Sequence, residues 1–203
     1  MREVCIVPTG TANVASVCAA FERLGTRPLL CDDPVQIARA ARVVLPGVGA
    51  FAAAARRIDE LGLRSVLLER VAEQRATLAI CLGMQLFCAR SDESPDAHGL
   101  AVVPDSIARF GDGLRVPQVG WNRVLPVGSE LLEPGYAYFV HSYRLAAMPP
   151  GWSGAMTDYG GEFVSALERG PVLACQFHPE ISGDYGQALL GRWLQRSDEV
   201  AAC

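Results

Sequence analysis

Apolar positions along this chain follow two rhythms. In the first half, short continuous apolar runs alternate with stretches whose apolar residues return every three or four positions. Residues 4–7 form a short buried run that stops at Pro8. Val14, Val17, Cys18, Phe21 and Leu24 then recur at helical spacing until Gly25. Residues 27–31 predict a second strand, and Asp33-Pro34 a helix start, because proline at the first helical position lacks only an N–H that would be unpaired anyway. Residues 42–45 predict a third strand, ending at Pro46-Gly-Val-Gly49. One or two helices cover 51–74. Residues 76–80 predict a fourth strand, followed by a turn at Cys81 and a helix to about Arg90. This β-α-β-α order, with strands that are apolar throughout, implies an α/β fold with a parallel sheet covered on both faces.

The second half changes rhythm. Strands dominate at 107–110, 121–125, 138–143, 154–157, 163–167 and 172–177, and Glu168-Arg-Gly-Pro171 reads as a hairpin turn between the last two. A closing helix spans 184–195. Residues 92–99 form a polar loop within the domain, and nothing resembles an interdomain linker. One domain over residues 1–203 is expected.

Composition adds limits. Half the 203 residues are apolar, a fifth are charged, and the net charge is −4, which offers no electrostatic reason to expect nucleic acid or an anionic membrane as partner. No apolar stretch approaches the roughly twenty residues of a membrane span, and residues 4–7 are too short for a signal sequence. Seven cysteines, none at CxxC spacing, suggest neither a zinc site nor a thioredoxin-like motif. Several sit in apolar runs, where free cysteine behaves as a small hydrophobe. A reducing cytoplasm is the simplest setting.

Cys81 stands apart from the other six. It lies between a predicted strand and a predicted helix, with small residues two before (Ala79) and two after (Gly83), the requirement for a tight nucleophile elbow. That geometry places the sulfur at the carboxyl end of a parallel strand, where open α/β sheets bind ligands, and at a helix N-terminus, whose partial positive charge favours a thiolate. The Leu82 N–H is then available to an oxyanion. A packed structural cysteine is the simpler reading until a base is found. His178, in Gln176-Phe-His-Pro-Glu180, follows an apolar strand, and Glu180 two residues on is placed to fix the imidazole tautomer while the other ring nitrogen meets a thiol. His141, within an apolar strand, reads as a wall histidine with its hydrogen bonds satisfied, and His98 as exposed and uninvolved. The glycines of Pro46-Gly-Val-Gly49 permit N–H groups to be aimed at a ligand, although an ordinary β-to-α turn reads the same way.

Together these segments resemble the class I (triad) glutamine amidotransferases, with their flavodoxin-like single domain, a mostly parallel sheet flanked by helices and an added antiparallel region. More closely they resemble the glutaminase subunits of imidazole glycerol phosphate synthases, which belong to histidine biosynthesis. The matching segments are Thr9-Gly-Thr-Ala-Asn13 with Ser16-Val17, Leu45-Pro-Gly-Val-Gly49, Ile80-Cys-Leu-Gly-Met-Gln85, Val119-Gly-Trp-Asn122, Tyr138-Phe-Val-His-Ser-Tyr143 and Gln176-Phe-His-Pro-Glu180 with Ser182-Gly183. The resemblance implies Cys81, His178 and Glu180 as the catalytic triad and Leu82, Val48 and Gly49 at the oxyanion. It implies Gln85, His141, Ser142 and Tyr143 around the amino-acid end of glutamine, and Trp121 and Asn122 at the contact with a cyclase subunit, a (β/α)8 barrel, in a heterodimer. It implies no cofactor and no metal. It also implies that Pro46–Gly49 must reorient before glutamine turns over, so that the chain alone is slow. The chain departs from the family pattern at Pro8-Thr9, Ala79, Gln118-Val119 and Ile181. Another class I glutaminase, serving pyridoxal phosphate, guanylate or anthranilate synthesis, and a non-catalytic regulatory relative are the alternatives.

Overall fold

Residues 2–9 and 13–201 are described by a computed structural model of the chain. Its first half follows the predicted alternation. The elements are β1 (Arg2–Ile6), α1 (Val14–Arg23), β2 (Thr26–Leu30), α2 (Pro34–Arg39), β3 (Val43–Gly47), α3 (Phe51–Glu60), α4 (Arg64–Ala72), β4 (Thr77–Cys81) and α5 (Leu82–Phe87). Asn13 and Asp33 cap α1 and α2 through side-chain oxygens that accept the N–H groups of Ser16 and Val35. Gly10, Thr11 and Ala12 of the first matching segment, and Cys203, lie outside the described residues.

The second half comprises β5 (Cys88–Ser91), β6 (Val103–Arg109), β7 (Gln118–Val127), β8 (Gly135–His141), β9 (Tyr143–Arg144), β10 (Ser153–Asp158), β11 (Glu162–Arg169), β12 (Val172–Cys175), a 3-10 turn (Pro179–Ile181) and α6 (Gly183–Ala201). Two expectations change here. The helix after Cys81 ends at Phe87, because Cys88 is extended and its backbone enters a parallel pairing with β6. The strand expected over 138–143 breaks at Ser142, and its two pieces join different sheets.

Nine strands form one sheet in the order β2-β1-β3-β4-β12-β11-β10-β7-β8, and β5-β6-β9 form a second. Pairings from β2 through to β12 are parallel, and those from β12 to β8 antiparallel. The antiparallel region is therefore a continuation of the parallel sheet. β3, β4 and β12 are buried along their whole length, which is why they read as unbroken apolar runs. Leu45, Ala79 and Ala174 face one core with Phe51, Ile58 and Leu67 of α3 and α4. Val44, Leu78, Ile80 and Leu173 face the other with Phe21 of α1 and Leu189 and Trp193 of α6.

Parallel pairing of β1 with β2 also brings the sulfurs of Cys5 and Cys31 together, with Cα atoms 5.7 Å apart. Their separation of 26 residues gave the pair no signature in the sequence. Among the described residues, no helix is long and apolar enough to cross a membrane.

Candidate active site

The elbow at Cys81 is strained and tightly supported. Cys81 has φ 53° and ψ −108°, a conformation that costs a non-glycine residue about 1–3 kcal/mol and persists only where its surroundings enforce it. β4 supplies that enforcement from between β3 and β12. A side chain on Gly83 would collide with the Leu45 carbonyl oxygen, and one on Gly47 would press on Leu82. Ala79, by contrast, sits inside the strand in register with Leu45 and Ala174, and its methyl is buried in the core. The strand's other end is anchored by Arg70. Fully buried, it donates to the carbonyls of Ile37, Ala40 and Ala76 and to the Thr77 hydroxyl. Burial lowers this guanidinium to about 10, and neutral oxygens take the place of a carboxylate around it.

His178 and Glu180 reach the same cleft from the end of β12. The backbone from Pro179 is a 3-10 turn, and it holds His178 Nδ1 2.8 Å from Glu180 Oε1. Burial alone would push the His178 imidazolium down. Interaction with the Cys81 sulfur and the hydrogen bond and charge of Glu180 outweigh it and hold the ring up at about 10. The His178 backbone is clamped to β8. Its N–H donates to the Tyr138 carbonyl, while the Ser182 hydroxyl accepts from the Tyr138 N–H and donates to the His178 carbonyl.

Cys81, His178 and Glu180 line one cleft of about 400 Å³, together with Leu82, Val48 and Gly49. Gly49 has φ 95°. Thr9, one of the departures from the family pattern, is buried and donates from its hydroxyl to the Pro46 carbonyl at 3.0 Å. Gln85, His141, Ser142 and Tyr143 also line the cleft. His141 is 5% exposed, and both its ring nitrogens are engaged, with the Tyr143 carbonyl at 2.8 Å and the Gln118 amide at 2.9 Å. Burial holds its pKa down at about 4. The neutral ring has one N–H, and the Tyr143 carbonyl, which can only accept, fixes it on Nδ1. His141 is thus a fixed wall, as its apolar surroundings suggested.

A carboxylate of the cleft escaped the sequence reading. Glu93 lies in the loop marked only as polar, yet it lines the cleft and accepts the Phe51 N–H at the start of α3 at 2.6 Å. Nothing in its spacing identifies it, since only folding brings that loop to Cys81. A carboxylate here suits a substrate ammonium group. His98 is exposed and lies in a separate depression beside Arg64. Trp121 is 56% exposed on β7, against Tyr138. Asn122 donates to the Asp158 carbonyl and accepts the Arg123 N–H, so its side chain is committed within the chain.

This arrangement suits acyl transfer. In such chemistry a thiolate attacks a carbonyl carbon and a paired imidazolium supplies the leaving group's proton.

Residues 13–195 match the family model described as glutamine amidotransferase class-I. The chain is 40% identical over 198 residues to the imidazole glycerol phosphate synthase subunit HisH of Symbiobacterium thermophilum, covering 95% of this chain and 93% of that one. It is 42% identical over 190 residues to the HisH subunit of Carboxydothermus hydrogenoformans, covering 91% and 95%. It is also 40% identical over 202 residues to the chloroplastic imidazole glycerol phosphate synthase hisHF of Arabidopsis thaliana, covering 94% of this chain and 34% of that one. A crystal structure of a glutamine amidotransferase superposes with a TM-score of 0.78 at 19% identity, covering 96% of this chain and 98% of that one, a likeness of fold.

Proposed function

The chain belongs to the class I glutamine amidotransferases, and from that membership we propose that it is the glutaminase subunit of an imidazole glycerol phosphate synthase, with residues 1–203 acting as one domain. The observation that carries the reading is the meeting of Cys81, His178 and Glu180 in one cleft, with a carboxylate, Glu93, in its wall. The Cys81 thiolate attacks the carboxamide carbon of glutamine. The oxyanion that forms is met by the Leu82 N–H and by the Val48–Gly49 segment. The C–N bond breaks as His178 passes its proton to the leaving ammonia, giving a thioester. His178 then takes a proton from water, whose oxygen displaces the sulfur and releases glutamate, while Glu180 orients the ring throughout. Glu93 receives the α-ammonium group of glutamine, and Gln85, His141, Ser142 and Tyr143 shape the pocket around it.

The ammonia serves a cyclase subunit, a (β/α)8 barrel, which makes imidazole glycerol phosphate and an aminoimidazole carboxamide ribotide in histidine biosynthesis. Val140 and Ile181 belong both to the cleft and to the exposed surface, and Val119 and Trp121 extend that apolar rim. A rim of this kind, continuous with the reaction cleft, suits a partner that collects a small product. The single Arabidopsis polypeptide, about a third of which this chain matches, agrees with a glutaminase that works beside a second catalytic unit. The setting is cytoplasmic. A glutamine-like diazo-ketone should label Cys81 in the complex with the barrel. Absence of labelling there favours a non-catalytic module.

A further inference from the structure

Buried beside Cys81 is a polar side chain that the mechanism above leaves unused. Gln176 is 0% exposed, at the end of β12. Its Nε2 lies 3.7 Å from Cys81 Sγ, and its Oε1 accepts from Gln85 Nε2 at 3.1 Å. Gln85 Nε2 also donates to the Tyr143 carbonyl at 3.3 Å. This chain has a fixed polarity. A backbone carbonyl can only accept, so the Gln85 atom facing Tyr143 must be its NH2 group. The second hydrogen of that group requires an acceptor, which orients Gln176 with its oxygen toward Gln85. The Gln176 nitrogen is thereby turned toward the sulfur. Gln176 is held further by its own backbone N–H, which donates to the Ser165 carbonyl at 2.9 Å.

We propose that Gln176 is a catalytic residue that donates an N–H to the Cys81 sulfur and favours its thiolate, with Gln85 and the Tyr143 carbonyl fixing the direction of the donor. A thiolate accepts such a bond far better than a thiol does, since hydrogen bonds to ionised acceptors are roughly twice as strong as neutral ones. The helix behind Cys81 has six residues, a short dipole that leaves room for a second source of stabilisation. Thioester formation removes the charge from the sulfur and weakens the bond, so Gln176 acts on the nucleophile before attack. The role rests on the glutaminase reading, but the test below separates the two.

Iodoacetamide alkylation of Cys81 is followed by mass spectrometry of its peptide, the thiolate displacing iodide, in the wild-type chain and in Gln176→Met, which keeps the volume and removes the donor. Loss of one charge-assisted hydrogen bond slows alkylation roughly tenfold at pH 7. The deficit narrows to less than about twofold at high pH, where hydroxide removes the proton without help from the donor. Equal rates at pH 7, or a deficit of the same size at every pH, overturn the proposal, because a merely structural role has no reason to vanish at high pH. A second measurement leaves Gln176 in place. In Cys81→Ala, the side-chain amide signals of Gln176 should shift in a nitrogen–proton NMR spectrum relative to wild type, and unchanged signals overturn the proposal. Glutamine hydrolysis by the wild-type chain with its barrel partner is assayed in parallel. Inactivity there, with the alkylation deficit intact, rejects the glutaminase reading and leaves the role of Gln176 standing.

Discussion

At Cys81 a buried sulfur sits on a strained backbone, beside an imidazole whose proton affinity is raised and a carboxylate that fixes its direction. The consequences divide by residue. Cys81→Ser should abolish glutamine hydrolysis while synthesis from added ammonium persists, measured as product formation by the complex. His178→Asn should lower glutamine turnover by roughly a hundred- to ten-thousandfold, the usual worth of a positioned acid–base group. Glu180→Gln should do less harm, since it acts one step from the bond changes. His141 gives a stability signature. Its folded-state pKa of about 4 lies below the 6.5 of an unperturbed imidazole, so between those values the unfolded chain binds the extra proton. Its contribution is present above pH 6.5 and is lost as the pH falls toward 4, by up to about 3 kcal/mol. Urea titrations across that range should show the loss in wild type and a flatter profile in His141→Gln. Of the site residues, Cys81, His178 and Glu180 were legible because each stands in a local motif with its own chemistry. Glu93 and Gln176 were not, because their roles exist only once a loop and a strand end have been folded against the elbow.

At the scale of elements, the parallel strands and their helices were readable because β3, β4 and β12 are buried on both faces and carry almost no polar residues. The end of α5 was not. Phe87 and Cys88 suit a helix as well as a strand, and the pairing of Cys88 with Val103 decides between them. The turn after His178 was similarly hidden, since Pro179 is compatible with a strand end and with the first position of a 3-10 turn. Ala79 is the element's one departure from the family pattern, and its place in β4 gives the departure a sense. The methyl fills core space between Leu45 and Ala174 without touching the turn. Ala79→Gly should therefore lower stability by about 1–2 kcal/mol, from the lost methyl and the freer backbone, with kcat unchanged. A thermal melt and a glutaminase assay on the same preparation check both halves of that statement.

Across the whole molecule, the sheet carries the cleft at the carboxyl ends of its parallel strands and an apolar rim on β7 and β8 beside it. His178 is tied to β8 through Tyr138 and Ser182, so a partner seated on that rim rests on the strand that holds the base. Trp121 is an exposed aromatic of that rim. Trp121→Ala should weaken binding to the barrel by about 2 kcal/mol, roughly thirtyfold in Kd, with the isolated chain's melting temperature unaffected. The sequence marked Trp121 through its family motif alone, since an exposed tryptophan on an edge ribbon has no periodicity that separates it from a core residue. Asn122, marked beside it, also holds the Asp158 carbonyl and the Arg123 N–H. The proposed reaction is glutamine hydrolysis in this cleft, under the control of a barrel partner. Its most direct test is the rate of glutamate release by the wild-type chain, alone and with the cyclase subunit and its nucleotide ligand. Slow release alone and a large rise in the complex is the predicted result. No glutamate release in the complex would contradict it.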